Sequence, residues 1–213
     1  MAYFRTGAIA LVASAVIGGG AYVGVSGSTA AQDAPLAGPV VKLMDKGGHG
    51  SGVHIGGGYV LTAAHVTGKA TAMAYLRDDG KKGTATVLWE NTTYDIALTR
   101  IERAAGMEAA PLDCRTPGKG EAVALRGNPI ILENITTWGK VAGAAVKLGP
   151  WGNVIPVDAS IAGGMSGGGL FDVDGDLVGI NVGMMMQQGG LGLTSVGLSL
   201  IVPAETICGL LAR

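Results

Sequence analysis

From Pro39 onward the chain is mostly short apolar runs with glycine, asparagine and aspartate between them. Pro39–Met44, Gly52–Ile55, Tyr59–Leu61, Thr71–Leu76 and Thr84–Trp89 lie in the first half. Ala122–Leu125, Ile130–Leu132, Gly139–Gly143 and Val154–Val157 lie in the second. Each run is continuous or alternates with a period of two, at lengths that suit strands and not helices. Asp78-Asp79-Gly80-Lys81-Lys82-Gly83 reads as a hairpin turn between two of them. Asp172-Val173-Asp174-Gly175-Asp176 has the look of a calcium loop but lacks the later glutamate, and Asp-Gly between apolar strands is a turn. The pattern predicts an all-β molecule built as barrels or a sandwich. A single short helix is expected, from about Ala204 to Leu211, just after Pro203.

At 213 residues the chain can hold one large or two small units with a real core. With 48% hydrophobic and 15% charged residues it is not a disordered chain. A net charge of −1 with no long basic run leaves no electrostatic footprint for nucleic acid, and 5% aromatic residues leave few stacking platforms. There is no Cys-x-x-Cys and no histidine pair at helical spacing, so neither a metal nor a cofactor is expected. Arg5 precedes an uncharged stretch from Gly7 to about Ser28, followed by Thr29-Ala30-Ala31-Gln32. Residues 1–33 are therefore expected to be a cleaved secretory signal or, alternatively, a retained membrane tether running through residues 7–28. Either places the folded part outside the cytoplasm, as a secreted, periplasmic or membrane-anchored domain.

Three local contexts carry chemistry. Ser166 sits in Gly163-Gly164-Met165-Ser166-Gly167-Gly168-Gly169, where glycines let a backbone turn tightly and aim its amides at one point. A serine there can attack a carbonyl while neighbouring N–H groups hold the oxyanion. His65 follows the apolar run Tyr59-Val60-Leu61 in Leu61-Thr62-Ala63-Ala64-His65, and Asp95 opens another run in Asp95-Ile96-Ala97-Leu98. Alone, such a histidine is more often a structural turn residue, and such an aspartate a cap or turn former. Together they supply nucleophile, base and the carboxylate that fixes the base's tautomer, in the order His, Asp, Ser. His49 and His54, in glycine-rich and strand contexts, read as structural.

These three blocks resemble the active-site blocks of trypsin-like serine proteases, and are most similar to compact bacterial HtrA-like protease domains. The resemblance extends through Gly127-Asn128-Pro129, Phe171–Ile180 and Leu198–Pro203, and covers about residues 40 to 210. It implies two six-stranded antiparallel β-barrels with a short C-terminal helix, the first within residues 34–115 and the second within 116–213. It also implies an endopeptidase acting on polypeptide substrates, with His65, Asp95 and Ser166 as the triad. The amides of Gly164 and Ser166 are the expected oxyanion hole. Ser160 would form the base of the primary pocket, and Asn181, Val182, Gly183 and Met184 the substrate strand and pocket wall. With no acid at Ser160, small or medium uncharged residues are expected before the cut. In this family a disulfide can join the linker to the C-terminal helix, which here means Cys114 and Cys208; two cysteines alone leave unpaired thiols as the alternative. Met165 departs from the family's Asp or Asn, and Gly169 from its proline. The oxyanion loop is thus expected to rely on packing and to be ordered by substrate. A protease fold that binds without cleaving is the competing reading, and an esterase on another fold is disfavoured by the motif order.

Overall fold

The first six strands bury one set of apolar side chains together and pair in a ring, which closes them into a barrel. They are β1 (Val40–Asp45), β2 (Gly48–Gly56), β3 (Tyr59–Thr62), β4 (Ala72–Leu76), β5 (Lys82–Asn91) and β6 (Ile96–Ile101). In β4, Met73 and Tyr75 are buried while Ala72 and Ala74 face out, the period of two that a half-buried strand requires. The order β1-β2-β3-β6-β5-β4 closes on itself through the β1–β4 pairing, with Leu43 opposite Tyr75. Val41, Leu43, Val60, Met73, Tyr75, Ala85 and Ile101 fill the interior. A short helix, α1 (Ala64–Thr67), leaves the end of β3.

This is a computed structural model, and it describes residues 37–189 and 192–212. The expected signal or tether, residues 1–33, lies outside them. Among the described residues no helix is long and apolar enough to cross a membrane.

The second barrel uses β7 (Ala122–Gly127), β8 (Ile135–Val141), β10 (Trp151–Asp158), β11 (Gly169–Phe171), β12 (Leu177–Gly189) and β13 (Gly192–Pro203). The sheet order β13-β12-β11-β7-β8-β10 is closed by pairing of β10 with β13, Ile155 facing Ile201. A short strand, β9 (Val146–Leu148), adds to the outer end of β10 as a hairpin. Both barrels are six-stranded and antiparallel, as the resemblance implied. Val123, Leu125, Ile155, Val157, Met165, Leu170 and Ile201 pack inside the second. A third cluster takes Val53, Leu61 and Ile96 from the first barrel and Phe171, Ile180, Val182 and Val202 from the second, welding the two along their seam. Both barrels belong to one compact unit.

Helix α2 (Ala204–Leu211) starts after Pro203 and buries Ala204, Ile207 and Leu210 at three-residue spacing, the spacing that puts them on one face. Cys208 on α2 is bonded to Cys114 in the inter-barrel linker, with Cα atoms 5.7 Å apart. Beside that bridge Arg115 donates to Asp113 (2.5 Å), to both Glu121 oxygens (3.0 and 2.6 Å) and to Asp172 (2.8 Å). The Arg115 hydrogen bonds hold Glu121 below the ordinary carboxylate range, against a smaller opposing effect of burial. Burial works against ionisation of Asp172, but Arg115 and the backbone amides of Asp176 and Asp174 outweigh it, and its pKa is also lowered.

One expected strand is absent. Ile130-Ile131-Leu132 forms an exposed turn, and pairing with β7 begins only at Ile135. Ile130 has φ +51°, a left-handed conformation that ends a strand and is costly for a β-branched side chain. The turn is closed from below, where the Asn134 amide donates to Asn128 Oδ1 at 3.0 Å. The Asp172–Asp176 segment is a turn, with Asp172 Oδ1 accepting from the amides of Asp174 and Asp176 at 3.1 and 3.0 Å.

Candidate active site

Asp95 stands at the end of the turn between β5 and β6, with φ +57°, which aspartate tolerates better than most residues. That conformation turns both its backbone and its side chain onto the start of α1. The Asp95 carbonyl accepts the Ala64 amide at 3.1 Å, and Oδ1 accepts the His65 amide at 2.8 Å. Ala63, at the N-cap, offers no side-chain cap, so Asp95 satisfies helix amides that the helix's own sequence leaves open. Oδ2 accepts from His65 Nδ1 at 2.7 Å. His65 is therefore gripped by one carboxylate at backbone and ring together. With Nδ1 as the donor, Nε2 is the nitrogen left to accept a proton. The Asp95 side chain is 12% exposed and that of His65 is 47% exposed, so the acid is sheltered and the ring is open to the cleft. A third donor reaches Oδ2, the indole Nε1 of Trp151 at 3.2 Å.

Ser166 and His65 line one cavity of about 300 Å³ with Gly164, His49 and Asp45. The loop beneath is fixed by its carbonyls. Gly163 O accepts from the Ile130 amide at 2.8 Å, and Ser166 O from the Ser51 amide at 2.7 Å. Gly164 O accepts from Ser51 Oγ at 2.8 Å. Met165 O accepts from the Gly168 amide and from Asn181 Nδ2, each at 3.0 Å. In a trans peptide the N–H points opposite to the C=O, and no peptide bond among the described residues is cis. Tying down the carbonyls of Gly163 and Met165 thus directs the amides of Gly164 and Ser166 the other way. Among the described residues neither amide has an acceptor. Gly164 has φ +94° and Gly167 φ +81°, and a side chain on Gly164 would run into His49 and the Asn128 carbonyl. Both positions need glycine for conformation and for space.

Met165 is 1% exposed and packs in the second-barrel core. The packing expected of the loop is present, and the hydrogen bonds of Ser51, Asn181 and Ile130 come in addition to it. Ser51 is itself held, accepting from the Asn128 amide at 2.9 Å.

The pocket residues named from the sequence are only partly together. Val182 is buried and lines a second cavity of about 530 Å³, on the Trp151 side of His65, with Ala64, Lys69, Glu90 and Pro150. Asn181 is fully buried under the Ser166 loop and supports it instead of facing the cleft. Gly183 lies beneath the Trp151 ring. Met184 is half-buried on β12, and Ser160 is exposed, its carbonyl accepting from Thr137 at 2.8 Å. His54 is structural: Nδ1 donates to the Glu108 carbonyl at 2.7 Å while Nε2 accepts the Gly58 amide at 3.2 Å. His49 borders the cavity and donates through Nε2 to the Asn128 carbonyl at 3.0 Å. Sequence reasoning missed Trp151, Ser51, Asn128 and the placement of His49. Gly127-Asn128-Pro129 stands out in the sequence as a block, but nothing local marks its pairing with Ser51.

Two closed six-stranded barrels meeting at a seam, with histidine and aspartate on one and serine on the other, define the chymotrypsin-like class of folds. The family model for a trypsin-like peptidase domain matches residues 50–180, more than half of the chain, and the chain belongs to that family. The periplasmic pH-dependent serine endoprotease DegQ of Escherichia coli K12 is 34% identical over 164 residues, covering 74% of this chain and 35% of DegQ. The periplasmic serine endoprotease DegP of Salmonella typhimurium is 31% identical over 170 residues, covering 77% of this chain and 35% of DegP. The chain thus spans about a third of the length of these curated relatives. Among solved structures, the HtrA-type protease AlgW with a tripeptide aligns at a TM-score of 0.73 and 26% identity, over 84% of this chain and 60% of AlgW. An inactive form of the Rv3671c protease from M. tuberculosis H37Rv aligns at 0.70 and 22% identity, over 82% of this chain and 85% of its own, and shares the fold.

Proposed function

We propose that the chain is a serine endopeptidase acting through His65, Asp95 and Ser166. The observation that carries this is the double grip of Asp95 on His65, at the ring and at the backbone, across one cavity from Ser166. Ser166 Oγ bonds to the substrate carbonyl carbon while its proton passes to His65 Nε2. The oxyanion is held by the amides of Gly164 and Ser166. The C–N bond then breaks, the leaving amine takes the proton from His65, and water hydrolyses the acyl-enzyme by the same route in reverse. Asp95 stays ionised and holds the imidazolium.

Polypeptides are the substrate class, supported by the family and by relatives named as endoproteases. Ser160 is uncharged and no acid joins it among the named pocket residues, so the preference is for small or medium uncharged residues before the cut. The relatives are named periplasmic, which supports an extracytoplasmic location, with residues 1–33 as signal or tether.

A fluorophosphonate probe tests the reading. Wild type is expected to be labelled at Ser166 and to cleave a peptide library, and Ser166→Ala to do neither. Absence of labelling in folded wild type would overturn the nucleophile and leave a protein that binds without cleaving. A library profile dominated by Arg or Lys would overturn the specificity.

A further inference from the structure

Among the described residues, Asp95 receives one hydrogen bond from outside its own barrel. Trp151 opens β10, after the Gly149-Pro150 turn from β9, and its indole Nε1–H donates to Asp95 Oδ2 at 3.2 Å. That oxygen also accepts from His65 Nδ1. The β9–β10 hairpin is held at this range by a backbone bond between barrels, the Gly152 amide donating to Thr93 O at 2.9 Å. A Cβ on Gly152 would stand 3.0 Å from the Tyr94 ring, so the approach is close. The indole is fixed from the other side by Gly183, where a Cβ would lie 3.0 and 3.1 Å from two ring carbons. The ring also lines the 530 Å³ cavity, together with Ala64 and Pro150. Val182, the β12 residue that lines the same cavity as Asp95, has no side-chain donor.

We propose that Trp151 is a positioning residue for the His65–Asp95 pair, an inference that rests on the peptidase reading above. Its N–H locks the Asp95 carboxylate so that Oδ2 faces the His65 ring while Oδ1 faces the His65 amide. Without it the carboxylate keeps its two bonds to His65, but Oδ2 loses its second donor and the soft terminal torsion is held less tightly. An indole N–H only donates, so it is matched to the ionised carboxylate that the mechanism requires. The hairpin carrying Trp151 belongs to the barrel that supplies Ser166. The same contact therefore sets the aspartate and histidine of one barrel relative to the nucleophile of the other.

Trp151→Phe keeps an aromatic face over Gly183 and in the cavity but removes the donor, and Trp151→Ala removes both. Hydrogen bonds to charged groups are worth enough that kcat for peptide hydrolysis is expected to fall about tenfold in Trp151→Phe at unchanged KM. Trp151→Ala is expected to raise KM as well. Independently of turnover, the low-field proton resonance of His65 Nδ1–H is expected to shift or broaden in Trp151→Phe. It should stay in place in Val173→Ala, a change at an exposed turn. A folded Trp151→Phe with wild-type kcat and an unmoved resonance would overturn the proposal. If that variant does not fold, a benzothienylalanine at 151, the same shape with sulfur in place of N–H, decides by the same two readouts. Failure of wild type to label with fluorophosphonate would overturn the peptidase reading instead, while the resonance still tests the contact.

Discussion

Gly164 is the residue on which the proposed chemistry most depends without contributing a side chain. Its left-handed φ of +94° and the closeness of His49 and the Asn128 carbonyl leave no room for a methyl group. Gly164→Ala must therefore move either the backbone or the β2 histidine, and the proposed oxyanion donor moves with it. Loss of one such donor costs on the order of 3 kcal/mol of transition-state stabilisation, about a hundredfold in kcat. The expected result is a variant that folds, keeps KM within a few-fold and loses kcat by that order. Steady-state kinetics beside a thermal melt check it, and undiminished kcat would remove Gly164 from the oxyanion hole. Met165 makes the complementary point. It cannot make the polar contacts of Asp or Asn at that position, and its full burial shows the loop anchored through the barrel core.

At the scale of elements, the Gly163–Gly169 loop is shaped by β2 and by the Asn128 turn as much as by its own glycines. Ser51 Oγ both donates to Gly164 O and accepts the Asn128 amide, fully buried. Ser51→Ala leaves that carbonyl and that amide without their partner, a cost of about 1–3 kcal/mol each way it is counted. It is expected to lower the melting temperature and to lower kcat more than KM, because the loop and not the substrate cavity loosens. A kcat loss no larger than the KM change would argue against it. These links also mark the limit of the sequence. His65, Asp95 and Ser166 were legible because each sits in a local pattern of a few residues. Ser51, Asn128 and Trp151 were not, because their partners lie 113, 77 and 56 positions away and no short-range pattern records such a meeting. The barrel strands were legible from their alternation. Ile130–Leu132 looked like one more because apolar runs reveal nothing of a positive φ. Asn181 is expected on the substrate strand and pocket wall, yet its side chain turns under the loop to Met165 O.

For the whole molecule, the linker is a second fastening besides the apolar seam. Glu121 and Asp172 have pKa values lowered by Arg115 and by backbone amides, from ordinary values of 4.5 and 3.8. A carboxylate whose folded pKa is depressed contributes stability that is present above its unfolded pKa and lost as pH falls through the folded value. The contribution is therefore intact at neutral pH, declines once pH falls below the ordinary values, and is lost as pH passes through the lowered folded ones. Arg115→Gln is expected to melt lower than wild type at pH 7, with the two melting temperatures converging as pH drops toward 3. Parallel curves at constant separation would show that the cluster is not the source. The neighbouring Cys114–Cys208 bond, 94 positions apart, makes the second barrel a covalent ring. A single backbone cut at the exposed Ile131 turn, by the protein itself or by another peptidase, would open that ring without releasing a fragment. Such a nicked molecule would run as one band on a non-reducing gel and separate into two only when reductant is added.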